Sequence, residues 1–173
     1  MRYWYNISHD GKHGGRVDAV DIAPDLIKYA KKHSAHENIK YFNTDITEFR
    51  KNLHMGVKYD FIILMDCFEH VFPDKIYKLR DDVLADHSHK DTIIFLNIPS
   101  AQHTIYLKEN KPLWLQIIDE AYPIHWITNY FDKICYAPVE IDIYSIDGAF
   151  PQYNSFVFKA CEHINESLFM YYH

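Results

Sequence analysis

Four short apolar runs alternate with amphipathic segments along the first half of the chain and predict strands at 17–22, 38–42, 59–65 and 91–98. The last two runs are almost continuously apolar, a pattern typical of parallel strands that helices cover on both faces. After Pro24, which suits a first helical position, Leu26, Ile27 and Ala30 recur at helical spacing. Residues 73–85 carry a similar apolar stripe. The pattern therefore predicts helices that alternate with parallel strands.

The last third of the chain has a different pattern. Residues 103–132 predict one or two helices, with breaks near Pro112 and Pro123. Two apolar strands follow at 134–146 and 154–161, and the turn-rich link between them has no room for a crossover helix. We therefore expect an α/β fold. It would have a Rossmann-like, mostly parallel sheet with helices on both faces, one antiparallel edge strand and a C-terminal antiparallel β-hairpin.

Composition limits the class of protein and its partners. A chain of 173 residues predicts one domain, which we place at 16–173 after an N-terminal segment, 1–15, with no assigned role. The formal net charge of −6 argues against nucleic acid as a partner. No apolar run approaches the roughly 18 residues of a membrane span, and the N-terminus lacks the apolar core of a signal peptide. We therefore expect a cytoplasmic protein with no membrane partner, and its three cysteines predict buried free thiols.

Acidic or polar residues follow each of the four predicted strands. Ligands of such sheets bind outside the carboxyl ends of the strands, so these residues are candidates for a binding site. One acid at a strand end is about as often a helix cap, but four consecutive strand ends are difficult to explain by capping alone. The residues are Asp21, Asp45, Asp66, Glu69, His70, Asn97, Ser100 and His103.

In the order and spacing of these strand ends, the sequence resembles the class I S-adenosylmethionine-dependent methyltransferases from about residue 16 to residue 162. "VDAVDIAPDLIKYAKKH" resembles the second strand and helix of that family, and "NIKYFNTDITEF" resembles the segment whose acid meets the adenine. "YDFIILMDCFEHV" resembles the fourth-strand motif, "TIIFLNIPS" the fifth strand, and the terminal hairpin the sixth and seventh strands. The resemblance lies in the order and spacing of these segments rather than in any one of them.

The resemblance implies S-adenosylmethionine as the cofactor and assigns residues to it. Asp21 would bind the ribose hydroxyls, with Ile22 beside the adenine. Asp45 would meet the adenine amino group, Ile46 would follow it against the ring, and Asp66 would line the same site. The chemistry suits these roles, because two hydroxyls can donate charge-assisted hydrogen bonds to one carboxylate.

The resemblance also implies an acceptor side. Methyl transfer is a direct displacement that the enzyme aligns, and a hydroxyl nucleophile needs a base. His70 and His103 are the candidate bases, although His70 could instead pack beneath the ligand and His103 could simply start a helix. Glu69, Asn97 and Ser100 would bind the acceptor. We expect a small molecule or a saccharide precursor, because residues 97–120 resemble acceptor-side segments of some polysaccharide-pathway methyltransferases.

One part of the family pattern is not found. Its first strand and glycine-rich loop should precede Asp21 by about twenty residues. "HDGKHGG" at 9–15 abuts the next strand with no room for a helix, so we interpret it as a turn. Three explanations remain open: a truncated chain, a short homologue with cofactor binding lost or rebuilt, or "RYWYNI" at 2–7 in the place of the first strand. Without that strand, two inner edges would lie open unless a second copy or a partner chain fills the gap, or unless the two edges close directly on each other.

Three functions compete at this point. The leading hypothesis is a methyltransferase, impaired if the glycine-rich loop is absent. The first alternative is a catalytically inactive methyltransferase-like partner subunit. The second is an NAD-type oxidoreductase, because a strand-end acid also binds the ribose of NAD. We expect no metal site, because the histidine clusters at 33–36 and 87–89 lie in polar loops and have no second cluster to complete a ligand set.

Overall fold

The structure is a computed structural model that describes residues 15–53, 56–148 and 150–161. All six predicted strands are present: β1 Val17–Asp21, β2 Ile39–Asn43, β3 Phe61–Met65, β4 Ile93–Pro99, β5 Tyr136–Tyr144 and β6 Tyr153–Ala160. The α-helices are α1 Pro24–His33, α2 Ile76–Lys78, α3 Ala85–His87, α4 Ala101–Asn110 and α5 Ile124–Asp132. A π-helix, Leu79–Leu84, joins α2 to α3, and 3-10 turns span Ile46–Asn52, Phe68–His70 and Pro112–Trp114. The predicted α/β class is confirmed.

The described strands form two sheets rather than one. β1 pairs in parallel with β2, and the second sheet has the order β3-β4-β6-β5. β3 and β4 are parallel, whereas β6 runs antiparallel to both β4 and β5, so the predicted terminal hairpin is confirmed. The prediction of an antiparallel edge strand is wrong, because β6 is an inner strand and β5 is the edge. Phe156 and Phe158 of β6 are fully buried, whereas Ile141 and Ile143 of β5 are exposed, so the inner position buries more apolar surface.

The two sheets are connected near β1 and the start of β3, and no strand of the described residues pairs with both of these strands. Side chains connect the sheets there: the Tyr59 hydroxyl, just before β3, donates a 3.0 Å hydrogen bond to Asp18 of β1. Arg16 also donates two 3.0 Å bonds to this carboxylate, which is 2% exposed. The resemblance places the first strand of the family at this junction. The candidates for that strand and for the glycine-rich loop fall almost entirely within residues 1–14, outside the described residues.

One hydrophobic core contains side chains from both sheets, among them Val20 of β1 and Ile62 and Leu64 of β3. Phe68, immediately after β3, is fully buried in this core. Its ring contacts Tyr122, Trp126, Tyr130 and Phe131 at centroid distances of 5.1–6.3 Å. This packing fixes the turn Phe68–His70, which carries two of the predicted site residues.

The cysteines differ from the prediction. None of the three forms a disulfide within the described residues, but Cys135 and Cys161 are exposed and Cys67 is half-buried. Cys135 lies in the turn after α5 and Cys161 directly follows β6, so both are beyond the ends of the core elements. Among the described residues, no helix combines the length and the apolar character needed to cross a membrane.

Candidate active site

Two adjoining clefts open where β1, β2 and β3 end. The larger, which we call the acidic cleft, has a volume of about 500 Å³, and a narrow cavity of about 80 Å³ lies beside it. Asp21, Ile22 and His70 line both. The carboxyl ends of these three strands therefore lie beside the same pair of clefts.

Asp21 is the last residue of β1 and is 9% exposed. Its Oδ1 accepts a 2.7 Å hydrogen bond from the Ala23 backbone N–H, whereas Oδ2 is buried and accepts none from the described residues. The Asn43 side chain donates to the backbone oxygens of Asp21 and Ile22 and holds this turn in place. A buried carboxylate oxygen without a donor is costly, so Oδ2 suits a hydroxyl donated by a ligand.

Asp45 and Ile46 line the narrow cavity at the end of β2. The Asp45 Oδ1 accepts 2.9 Å hydrogen bonds from the Thr47 backbone N–H and hydroxyl, and Oδ2 accepts a 3.0 Å bond from the Lys75 ammonium. Burial alone would raise the pKa of Asp45, but these bonds to Thr47 and Lys75 hold it below its ordinary value. A carboxylate offers about four lone-pair sites, so Asp45 can accept a further hydrogen bond from a ligand.

Asp66 follows β3 in the left-handed region, with φ of 46°. Its backbone N–H donates a 3.0 Å bond to the Asn97 carbonyl, and the Asn97 amide donates a 2.9 Å bond to its Oδ1. The Tyr144 hydroxyl donates in turn to Asn97 Oδ1 at 2.8 Å. Such a backbone costs about 1–3 kcal/mol in a residue other than glycine and persists only when neighbours enforce it. Asp66 lines the acidic cleft, and its hydrogen bonds with Asn97 keep it in that position.

Glu69 and His70 form the floor of the acidic cleft together with Asp119. His70 Nε2 lies 3.2 Å from Glu69 Oε1, and Nδ1 lies 3.2 Å from Asp119 Oδ1 and close to the Ile118 carbonyl. A carbonyl oxygen only accepts, so Nδ1 carries a hydrogen, and both ring nitrogens face acceptors. His70 therefore bridges Glu69 and Asp119. A general base would instead need a ring nitrogen turned toward the acceptor.

His103 lies in the first turn of α4 and also lines the acidic cleft. Its ring packs against Phe150 and Tyr153, and its buried Nδ1 has no hydrogen-bond partner among the described residues. Burial lowers the pKa of His103 below its ordinary 6.5; nearby Asp147 raises it and Lys111 lowers it. The lowered pKa favours the neutral form of the ring, which can accept a proton.

Ser100 has a different position from the one predicted. It is 1% exposed, and it is not among the residues that line either cleft. Its hydroxyl accepts a 3.1 Å bond from the His103 backbone N–H, which caps α4, and donates a 2.8 Å bond to the Pro151 carbonyl. In the structure Ser100 positions His103 rather than facing a ligand.

Among the residues of the acidic cleft that sequence reasoning missed are Trp114, Asp119 and Tyr153. They come from the turn Pro112–Trp114, the segment before α5, and the start of β6. No strand-end pattern marks them. The sequence feature that pointed to this region was Pro112, which breaks the helical pattern and leaves the following residues in a loop.

Part of the sequence matches a known family model, and the fold of this chain is similar to those of known proteins. Residues 5–86 match the family model described as a methyltransferase domain. Among curated proteins, none matches the sequence. An S-adenosylmethionine-dependent methyltransferase from Archaeoglobus fulgidus is 14% identical with a TM-score of 0.64, and the match covers 82% of this chain and 75% of that one.

Two further similar structures contain bound S-adenosylhomocysteine. The 1,6-didemethyltoxoflavin-N1-methyltransferase of Burkholderia thailandensis is 12% identical with a TM-score of 0.61, covering 86% of this chain and 62% of that one. The magnesium protoporphyrin IX methyltransferase of Synechocystis PCC 6803 is 16% identical with a TM-score of 0.60, covering 86% and 65%. This chain thus has the fold of the S-adenosylmethionine-dependent methyltransferases, and the oxidoreductase alternative is not favoured.

Proposed function

We propose, from the methyltransferase fold of this chain, that it transfers a methyl group from S-adenosylmethionine to a small-molecule or saccharide acceptor. The observation that carries the proposal is the Asp21 carboxylate, which is 91% buried at the end of β1 with one oxygen left without a donor among the described residues. A ribose hydroxyl is the kind of group that satisfies such an oxygen.

The cofactor would lie across the two clefts. Asp21 would accept from the ribose hydroxyls, and Ile22, which is 63% exposed, offers an apolar surface to the adenine. Asp45 and Ile46 would bind the purine in the narrow cavity, and Asp66 would line the acidic cleft beyond the ribose. When bound, S-adenosylmethionine supplies a methyl carbon on a positively charged sulfur, and acids around the site suit that charge.

The acceptor would enter the acidic cleft. His103 would take the proton from the nucleophile, because its side chain lines the same cleft and its Nδ1 has no hydrogen-bond partner among the described residues. Glu69 would bind the acceptor, and Asn97 would position Asp66. His70 would order Glu69 and Asp119, and Ser100 would hold the turn that starts α4.

The first test is binding of S-adenosylhomocysteine to the purified chain by calorimetry, with NAD as the matched control. We expect one site per chain and a higher melting temperature, since a ligand at 100 times its Kd stabilises the native state by about 2.7 kcal/mol. The absence of both heat and stabilisation at millimolar ligand would contradict the proposal. Binding of NAD instead would support the oxidoreductase.

The protonation of His103 gives a second prediction. We expect the C2 proton of its ring to titrate in an NMR experiment with a midpoint below 6.5, because burial disfavours the charged ring. The folded pKa lies below the unfolded one, so stability is lost as the pH falls from 6.5 toward that midpoint. His103→Gln assigns the resonance and should reduce this pH dependence. A midpoint at or above 6.5 would remove the argument for His103 as the base.

A further inference from the structure

The carboxylates that line the acidic cleft make it negatively charged. Its lining includes four carboxylates, those of Asp21, Asp66, Glu69 and Asp119, and no lysine or arginine among the described lining residues. Its two histidines cannot balance these charges, because together they supply at most two positive charges against four carboxylates. Such a cleft attracts a cation and repels a phosphate or carboxylate.

Glu69 provides the second, independent observation. Its side chain is 2% exposed, and its Oε2 is buried without a hydrogen-bond partner among the described residues. The other oxygen, Oε1, faces His70 Nε2 at 3.2 Å. A buried carboxylate with one unsatisfied oxygen is costly unless a ligand supplies the missing donor.

We infer that the reacting group of the acceptor is an amine, bound in the acidic cleft as an ammonium ion by Glu69 Oε2 with Asp66 and Asp119. This inference rests on the proposed function and narrows its substrate class. An ammonium group offers three donors and a full positive charge, so it satisfies Glu69 better than a neutral hydroxyl, and the carboxylates of the cleft would repel a phosphate or carboxylate acceptor.

The rest of the cleft suits an amine in two ways. An ammonium nitrogen has no lone pair until it loses a proton, and His103, which lines the same cleft, would receive that proton. Trp114, Leu115 and Tyr153 form an aromatic and apolar wall that can contact the carbon skeleton of the acceptor.

The test compares matched ligands by calorimetric titration at pH 7, with the chain already saturated with S-adenosylhomocysteine. One set is benzylamine, benzyl alcohol and benzoate, and the other is glucosamine, glucose and glucuronate. Saturation matters because the amino group of S-adenosylhomocysteine is itself a cation and must not compete. We expect the amine of at least one set to bind at least tenfold more tightly than its alcohol, with the carboxylate weakest.

Variants show which side chain is responsible for the preference for the amine. Glu69→Gln should reduce the preference for the amine about tenfold, whereas the matched control Glu109→Gln, on the exposed side of α4, should leave it unchanged. Asp66→Asn serves as a second variant if Glu69→Gln does not fold. If the alcohols bind as tightly as the amines in both sets, or if no ligand of either set binds, the inference is overturned. Failure to bind S-adenosylhomocysteine would instead overturn the proposed function.

Discussion

Replacement of Asp21 by asparagine is expected to weaken S-adenosylhomocysteine binding about 100-fold, the largest effect of any single polar change in the site. Hydrogen bonds to a charged group contribute about 1.5–3 kcal/mol each, and about 2.7 kcal/mol corresponds to a 100-fold change in Kd. Asparagine keeps one oxygen for the Ala23 backbone N–H, so the turn should survive. The loss would therefore come from the oxygen that faces the ligand.

Calorimetric titration measures this change, and thermal unfolding shows whether Asp21→Asn is folded. Asp25→Asn is the matched control, because Asp25 is exposed in the first turn of α1 and is not among the cleft-lining residues. It should bind S-adenosylhomocysteine as the unchanged chain does. If Asp21→Asn binds within threefold of the unchanged chain, the ribose role of Asp21 is wrong.

Truncation of Phe68 to alanine should lower the free energy of unfolding by about 3–5 kcal/mol, the range for removing a buried aromatic ring. Phe68 is fully buried and its ring contacts four other aromatic rings. Domains have a total stability of about 5–15 kcal/mol, so this loss takes a large share of it. Because Phe68 anchors the turn that carries Glu69 and His70, binding in the acidic cleft should weaken as well.

Urea denaturation measures the change in stability. Phe72→Ala is the matched control, because Phe72 lies four residues further along the same loop and is 50% exposed. It should cost less than about 1 kcal/mol, because half of the Phe72 surface is exposed and its contact with the Lys75 ammonium, 5.7 Å from the ring centroid, is weak. If both variants lose the same free energy, the aromatic cluster around Phe68 does not carry the stability that we assign to it.

The strands and the residues after them were predictable because both depend on local chemistry. A run such as residues 91–98 is apolar enough to be a buried strand in almost any context. Once the strands were known, the rule that parallel strands end at one edge placed Asp21, Asp45 and Asp66 near one another.

The order of β5 and β6 was not predictable in the same way. Both are apolar by sequence and their pairing follows from the short link between them. The inner place beside β4 depends on which strand buries more surface against the rest of the molecule, and only the packing of Phe156 and Phe158 decides that.

The sequence alone determined the α/β class, the antiparallel hairpin and the strand-end acids, because these follow from periodicity and from short connections. Only the tertiary structure decided what each acid can do. Asp66 is held by Asn97 from a neighbouring strand, Glu69 is buried with one oxygen unsatisfied by the described residues, and Asp119 reaches the same cleft 49 positions after His70. The burial of a side chain and its hydrogen-bond partners depend on contacts between distant segments, which cannot be inferred from the local sequence.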